Sequence, residues 1–269
     1  PEGTVLPADP IAAINAGRYL KVPVLASTTR EEAKLFPTFL ALSPALGGVS
    51  GRLVSDATLF STQFNYDPDA APTVAIGQWI PSAYLPVDTP VTGFNARTDL
   101  LNTVFFIASR NNVLDALKAQ QPDVWYYRFD WKMEPAPWND IYGAAHAFDL
   151  PFLFGNFGPS LFANIANSSA NRPGRLALSA AMMASLGAFA RSGDPNDAAL
   201  GVNWPAWPAQ LVFDAGLNTK AISVSGFCRP VRTLASLTGV ASGRKVSESL
   251  IQAMRSGNPE SPRFFQQTS

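Results

Sequence analysis

Histidine and cysteine are almost missing from this chain: 269 residues hold one of each, His146 and Cys228. A lone cysteine excludes a disulfide within the chain, which fits a reducing compartment and a cysteine-poor exported bacterial protein equally well. One imidazole and one thiol leave no credible metal site. Charge of one sign is not in excess either, with 20 basic and 20 acidic side chains. That balance, without any long basic run, gives no electrostatic case for a nucleic-acid partner. The most apolar stretch, residues 176–190, is broken by serines and a glycine and falls short of the ~20 residues of a membrane span. No Gly-rich loop with a following lysine is there to cradle a phosphate. The sequence therefore calls for no cofactor.

What is present suffices for a folded core, with 47% hydrophobic side chains. The 23 prolines and 19 glycines read as many defined loops, because the apolar fraction is too high for a disordered chain. Asp9-Pro10 opens a short helix over residues 11–16, with Asp9 as its N-cap and Gly17 at its end. Residues 22–27 form an apolar, β-branched run suited to a buried parallel strand. Residues 37–99 are the least regular, with prolines punctuating short helical patterns such as 74–80. A long helical pattern follows over 98–117, softly broken at Asn111-Asn112. Residues 124–129 read as a central strand. An apolar helix over 176–191 ends at Gly193 and Pro195. Residues 210–214 and 221–224 suggest a small hairpin, 244–255 an amphipathic helix, and 256–269 a loose tail.

Two features could carry chemistry. His146 has the one side chain whose ordinary pKa lies near neutrality, which suits proton shuttling, although a lone histidine serves as readily on a surface or in a core. Glu31 and Glu32 follow the first strand, where open α/β sheets place their chemistry. Solvated acids in the first turn of a helix would look the same.

The wording around these residues narrows the choice. His146-Ala-Phe-Asp149-Leu150-Pro151-Phe152-Leu-Phe154-Gly155 resembles the histidine segment of the type-B carboxylesterases, the carboxylesterase/cholinesterase family of α/β-hydrolases. There it reads His-x-x-[Asp/Glu]-[Leu/Ile]-Pro-[Phe/Tyr]-x-Phe-Gly. Residues 28–36 are similar to the family's strand-end segment, Gly-x-[Asn/Thr]-x-[Asp/Glu]-Glu-Gly-x-x-Phe, with Ala33 standing where a glycine is usual. The run from Phe189 to Asn196 resembles Phe-Ala-[Arg/Lys]-x-Gly-[Asp/Asn]-Pro-Asn, and Trp204-Pro205-Ala206-Trp207 resembles Trp-Pro-x-[Tyr/Trp]. The likeness covers the chain up to about Val224.

This resemblance implies the α/β-hydrolase fold, here its C-terminal portion. The expected architecture is a mostly parallel sheet flanked by helices, with helical excursions over the active site. It implies a serine hydrolase of carboxylic esters with a Ser-His-Glu triad. Glu32 would orient His146, and His146 would be general base and then general acid. Asp149 is a supporting acid, an N-cap or a rival partner of the imidazole, and Glu31 a second supporting acid. Asp56, in the Val54-Ser55-Asp56 turn, is an N-cap or a weaker rival. Leu35, Phe36, Phe39 and Trp79 are candidate pocket walls, though the aromatics suit plain core as well. Leu35 stands where cholinesterase-type members usually carry an aromatic, which weakens any cation–π site for a choline ester.

Acyl transfer also needs a nucleophile and an oxyanion hole. No Gly-x-Ser-x-Gly elbow occurs. Gly47-Gly48-Val49-Ser50-Gly51 has the wrong register, and Ser192 and Ser225 fail similarly. The opening residues Pro1 to Pro10 are similar to the middle of the family's sequence. The expectation is a C-terminal half, inactive alone, whose partners are a small-molecule ester and an N-terminal half carrying the serine on the same or another polypeptide. A non-catalytic cholinesterase-like interaction domain, which keeps the fold and loses triad members, is the alternative.

Overall fold

The computed structural model describes residues 7–42 and 48–225. Among these residues four strands make one sheet in the order β1 (Val24–Thr29), β2 (Val124–Phe129), β3 (Gln210–Ala215), β4 (Lys220–Ser225). β1 runs parallel to β2 from Val24 opposite Val124 to Thr29 opposite Phe129, and β2 runs parallel to β3. β4 returns antiparallel along β3. The sheet is thus mostly parallel, as expected of an α/β-hydrolase. Val124, Tyr126, Phe129, Leu211 and Phe213 are fully buried, as strands covered on both faces must be. The expected hairpin is there, β3 and β4 joined by a four-residue turn, and it closes one side of the main sheet.

Among the described residues eight α-helices accompany it: α1 (Pro10–Asn15), α2 (Asp56–Phe64), α3 (Phe94–Asn102), α4 (Ala108–Lys118), α5 (Trp138–Ile141), α6 (Leu150–Phe154), α7 (Leu161–Ala166) and α8 (Arg172–Ser192). α8 packs on α6 and against β3. Asp9 caps α1 by accepting from the Ala12 N–H at 2.9 Å, a contact worth about 1 kcal/mol. Gly193 ends α8 at φ +77°, a left-handed cap that favours glycine. Among the described residues no helix is long and apolar enough to cross a membrane.

Several expectations shift. β1 starts two residues later than the apolar run, and Val22 is left exposed. α8 starts at Arg172 with Pro173 in its first turn, where a missing N–H costs nothing. The pattern over 74–80 yields only one 3₁₀ turn, Ile76–Gln78. Asp56 does not cap α2; Ser55 does, accepting from the Thr58 N–H at 3.2 Å, while Asp56 pairs with Arg52.

The expected break at Asn111-Asn112 is absent. The backbone stays helical from 94 to 118 and loosens earlier, in a π turn at Thr103–Ile107. Asn111 does not compete with its own backbone, because its Oδ1 accepts from Arg110 Nε and Nη2. The stretches 244–255 and 256–269 lie outside the described residues.

Candidate active site

β1 and β2 deliver two loops side by side. The first leaves Thr29 and reaches Glu32, which opens the 3₁₀ turn Glu32–Leu35. The second crosses residues 130–145 and ends at His146. Two backbone bonds, both donated by the first loop, join them: Arg30 N–H to Phe129 O at 2.8 Å, and Glu31 N–H to Ala144 O at 2.9 Å.

Between the loops, His146 Nδ1 lies 2.6 Å from Glu32 Oε2. The other oxygen of that carboxylate accepts from the Thr29 N–H at 2.7 Å. Glu32 is thereby fixed at both oxygens, and its side chain is 6% exposed against 46% for His146. A buried acid with fully used oxygens beside a half-open imidazole can hold one tautomer and stabilise a positive ring. Ala33 follows without strain: it is buried, and its φ is not among the positive ones.

Glu31 braces the second loop. Its Oε2 accepts from the Ala144 N–H at 3.0 Å, and its Oε1 pairs with Lys34 Nζ at 2.8 Å. Lys34 is 1% exposed, a burial that nothing in its sequence neighbourhood announces. Gly143, at φ +51°, makes the approach feasible, since a Cβ there would come within 2.1 Å of Glu31 Oε2. Ala147 holds φ +67° next to the imidazole, an uncommon conformation for a residue with a side chain, of the kind that concentrates at sites.

Asp149 does not reach the imidazole's Nδ1, which Glu32 occupies. Its Oδ2 accepts from the buried Tyr127 hydroxyl at 2.8 Å, and its side chain makes no cap to α6. Burial raises its carboxyl above the ordinary range, with the Tyr127 hydrogen bond pulling the other way. Burial and the charge of Asp149 push the Tyr127 phenol well above 10, so the hydroxyl remains a donor and anchors the start of α6.

The candidate walls divide. Phe36 lies against His146, with ring centroids 5.4 Å apart, and against Phe39 at 6.0 Å. Trp79 instead sits in the core, edge-on to Trp138 at 4.9 Å. With Leu35 and Lys34 it borders a partly open cavity of about 100 Å³. Phe106, an aromatic that the pattern gave no reason to single out, also lies against the imidazole at 6.0 Å, and its neighbour Phe105 packs on Phe39. The serines beside glycines are engaged elsewhere: Ser50 with the Arg52 N–H, Ser192 at the end of α8, and Ser225 with Gln210.

Glu134, in the second loop, is 5% exposed and has no hydrogen-bond partner on either oxygen among the described residues. Burial, with Glu31 adding to it, pushes its carboxyl well above the ordinary 4.5. The folded chain therefore keeps a proton that the unfolded chain has lost. Stability from this group is full below the unfolded value and is lost as pH rises through the folded one, at about 1.4 kcal/mol per unit of elevation. Glu134→Gln is expected to flatten that loss, matching wild type in acid and melting higher at neutral and alkaline pH. Superimposable melting-versus-pH curves would show that Glu134 is not held neutral.

The carboxylesterase family model matches residues 1–225. This chain belongs to the carboxylesterase family. The para-nitrobenzyl esterase of Bacillus subtilis (strain 168) is 29% identical over 220 residues, which cover 80% of this chain and 39% of that protein. A crystal structure of the Geobacillus stearothermophilus carboxylesterase EST55 superposes with TM-score 0.52 at 27% identity, covering 85% of this chain and 42% of its own. Aspergillus niger EstA, at 19% identity and TM-score 0.54, shares the fold over 84% of this chain and 41% of its own. The chain spans about two fifths of the length of these carboxylesterase relatives.

Proposed function

We propose that this chain supplies the histidine and the acid of a Ser-His-Glu triad in a hydrolase of carboxylic esters. One observation carries the reading: the 2.6 Å bond from His146 Nδ1 to a buried carboxylate, with nearly half of the imidazole still exposed. Because Nδ1 is committed to Glu32, the nitrogen that exchanges protons is Nε2. It takes the proton of a serine hydroxyl attacking the ester carbonyl, then gives it to the oxygen of the leaving alcohol. Glu32 stabilises the imidazolium in between. Water then repeats the cycle on the acyl-enzyme.

The serine and the oxyanion hole come, in this proposal, from the N-terminal half of the same enzyme, on the same or a separate polypeptide. The absence of a serine elbow in the sequence supports it. So does β1, which pairs with a strand on one side only among the described residues and so leaves an edge for a further strand. This chain alone is accordingly inactive. A purely structural use of the fold gives no reason to tie a buried acid to a half-open imidazole, and that weighs against a non-catalytic interaction domain.

A fluorophosphonate probe tests this reading, because it reacts only with a serine activated by such a base. The enzyme carrying this chain together with its serine-bearing half should label, and its His146→Ala variant should not. Equal labelling of both forms would remove His146 from the mechanism.

A further inference from the structure

The buried ammonium of Lys34 is only partly used. Such a group carries three N–H donors, and among the described residues Lys34 Nζ has a single partner, Glu31 Oε1 at 2.8 Å. The side chain is 1% exposed, so bulk water does not complete the set. Buried donors without acceptors cost free energy. The spare N–H groups of Lys34 therefore call for an acceptor.

Lys34 stands in the wall of the partly open cavity of about 100 Å³, and Leu59, Ile80, Phe94 and Phe162 make much of the rest. Arg52 is a second cation in that wall. Its Nη2 meets Asp56 at 2.6 Å, but Asp56 is 89% exposed and the arginine 25%, so the acid offsets little of its charge. Tyr142 also lines the cavity. Its hydroxyl accepts from Gln63 Nε2 at 2.9 Å, and burial pushes the phenol up to about 12, so it keeps its own proton to donate. Among the described residues no aspartate or glutamate lines the cavity, and neither do His146, Phe36 or Phe106. Cations, donors and apolar side chains without an acid favour an anion with an apolar tail.

We propose that this cavity binds a short-chain monocarboxylate, its oxygens on the free N–H groups of Lys34 and Arg52 and its tail among the apolar walls. Size sets the chain length. A dry cavity of about 150 Å³ takes benzene, with six heavy atoms, so about 100 Å³ with an open mouth suits an acid of about four carbons. Lys34 keeps Glu31 when the acid binds, because its three donors serve both carboxylates. Hydrolysis of a carboxylic ester releases an acid of this class, which links the ligand to the proposed activity. Binding itself needs neither the serine nor the imidazole, so the inference does not rest on the triad.

The test is isothermal titration of the whole protein that carries this chain, with sodium butanoate as the probe. Binding is expected with Kd about 1 mM, and at least about tenfold weaker for butan-1-ol and butylammonium, which match its length without its charge. Leu59→Trp fills the cavity without touching a charge and should abolish binding. Arg52→Met, at a surface ion pair that the fold does not need, should weaken it about fivefold. Lys34→Met alone endangers folding, so the ammonium is removed together with Glu31→Gln, and that double variant should lose binding as well. His146→Ala should bind butanoate as the wild type does. No butanoate binding, butan-1-ol bound equally well, or binding that survives both Leu59→Trp and the double variant overturns the inference. Binding lost in His146→Ala also overturns it, because the acid then sits at the imidazole.

Discussion

Replacing His146 by alanine in the complete enzyme is expected to lower ester turnover by about 10⁴-fold or more, with the fold retained. In the proposed triad the magnitude follows from the double duty of the imidazole, which would remove the serine's proton and later protonate the alkoxide. Retention of the fold follows from position. The side chain is 46% exposed, so water can enter the vacated space and meet Glu32 Oε2. Glu32 keeps its bond from the Thr29 N–H, and the two loops keep their backbone bonds at Phe129 and Ala144. Turnover within a few-fold of wild type, or an unfolded variant, would contradict this.

The second large effect concerns stability. Lys34 is buried with Glu31 as its ion-pair partner, and Glu31 in turn holds the Ala144 N–H. Removing one member of a buried pair leaves an uncompensated charge, so Lys34→Met is expected to destabilise by about 3–5 kcal/mol. Removing both charges is far milder, so Glu31→Gln added to Lys34→Met should restore much of the loss. Denaturant unfolding of the wild type, both single variants and the double variant measures it. If Lys34→Met alone stays within about 1 kcal/mol of wild type, Glu31 is satisfied without the lysine. Because Glu31 bonds the loop that ends at His146, the single variant should also lose turnover, and the double variant should regain part of it.

These two residues mark how far the sequence could be read. β2 was legible to the residue, because a β-branched and aromatic run from Val124 to Phe129 suits a strand covered on both faces and little else. Asp9 and Gly193 were legible because a cap and a left-handed terminus each demand few residue types. The segments around Glu32 and His146 stood out by resemblance, whereas their meeting in space depends on the parallel pairing of β1 with β2, a contact about a hundred residues apart in the chain.

Other features had no local signature. Lys34 carries no sequence signal of its own, and only the fold shows its ammonium against Glu31. Phe105 and Phe106 fall inside the long helical pattern over 98–117 and carry no signal of their own. They sit in the π turn Thr103–Ile107, which no residue type there announces. Asp56 illustrates the opposite error: an acid in a turn suggested a cap, but Ser55 holds the extended backbone that a cap needs. Trp79 suited a pocket wall or plain core by sequence, and the structure places it in the core against Trp138.

The coupling of Glu32 to His146 is measured most directly by a double-mutant cycle in ester turnover, with Glu32→Ala, His146→Ala and both together in the complete enzyme. The acid acts only through the imidazole, so the double variant is expected to be no slower than His146→Ala alone, within about threefold. A double variant slowed by the product of the two single effects would mean that they act independently and would contradict the pairing.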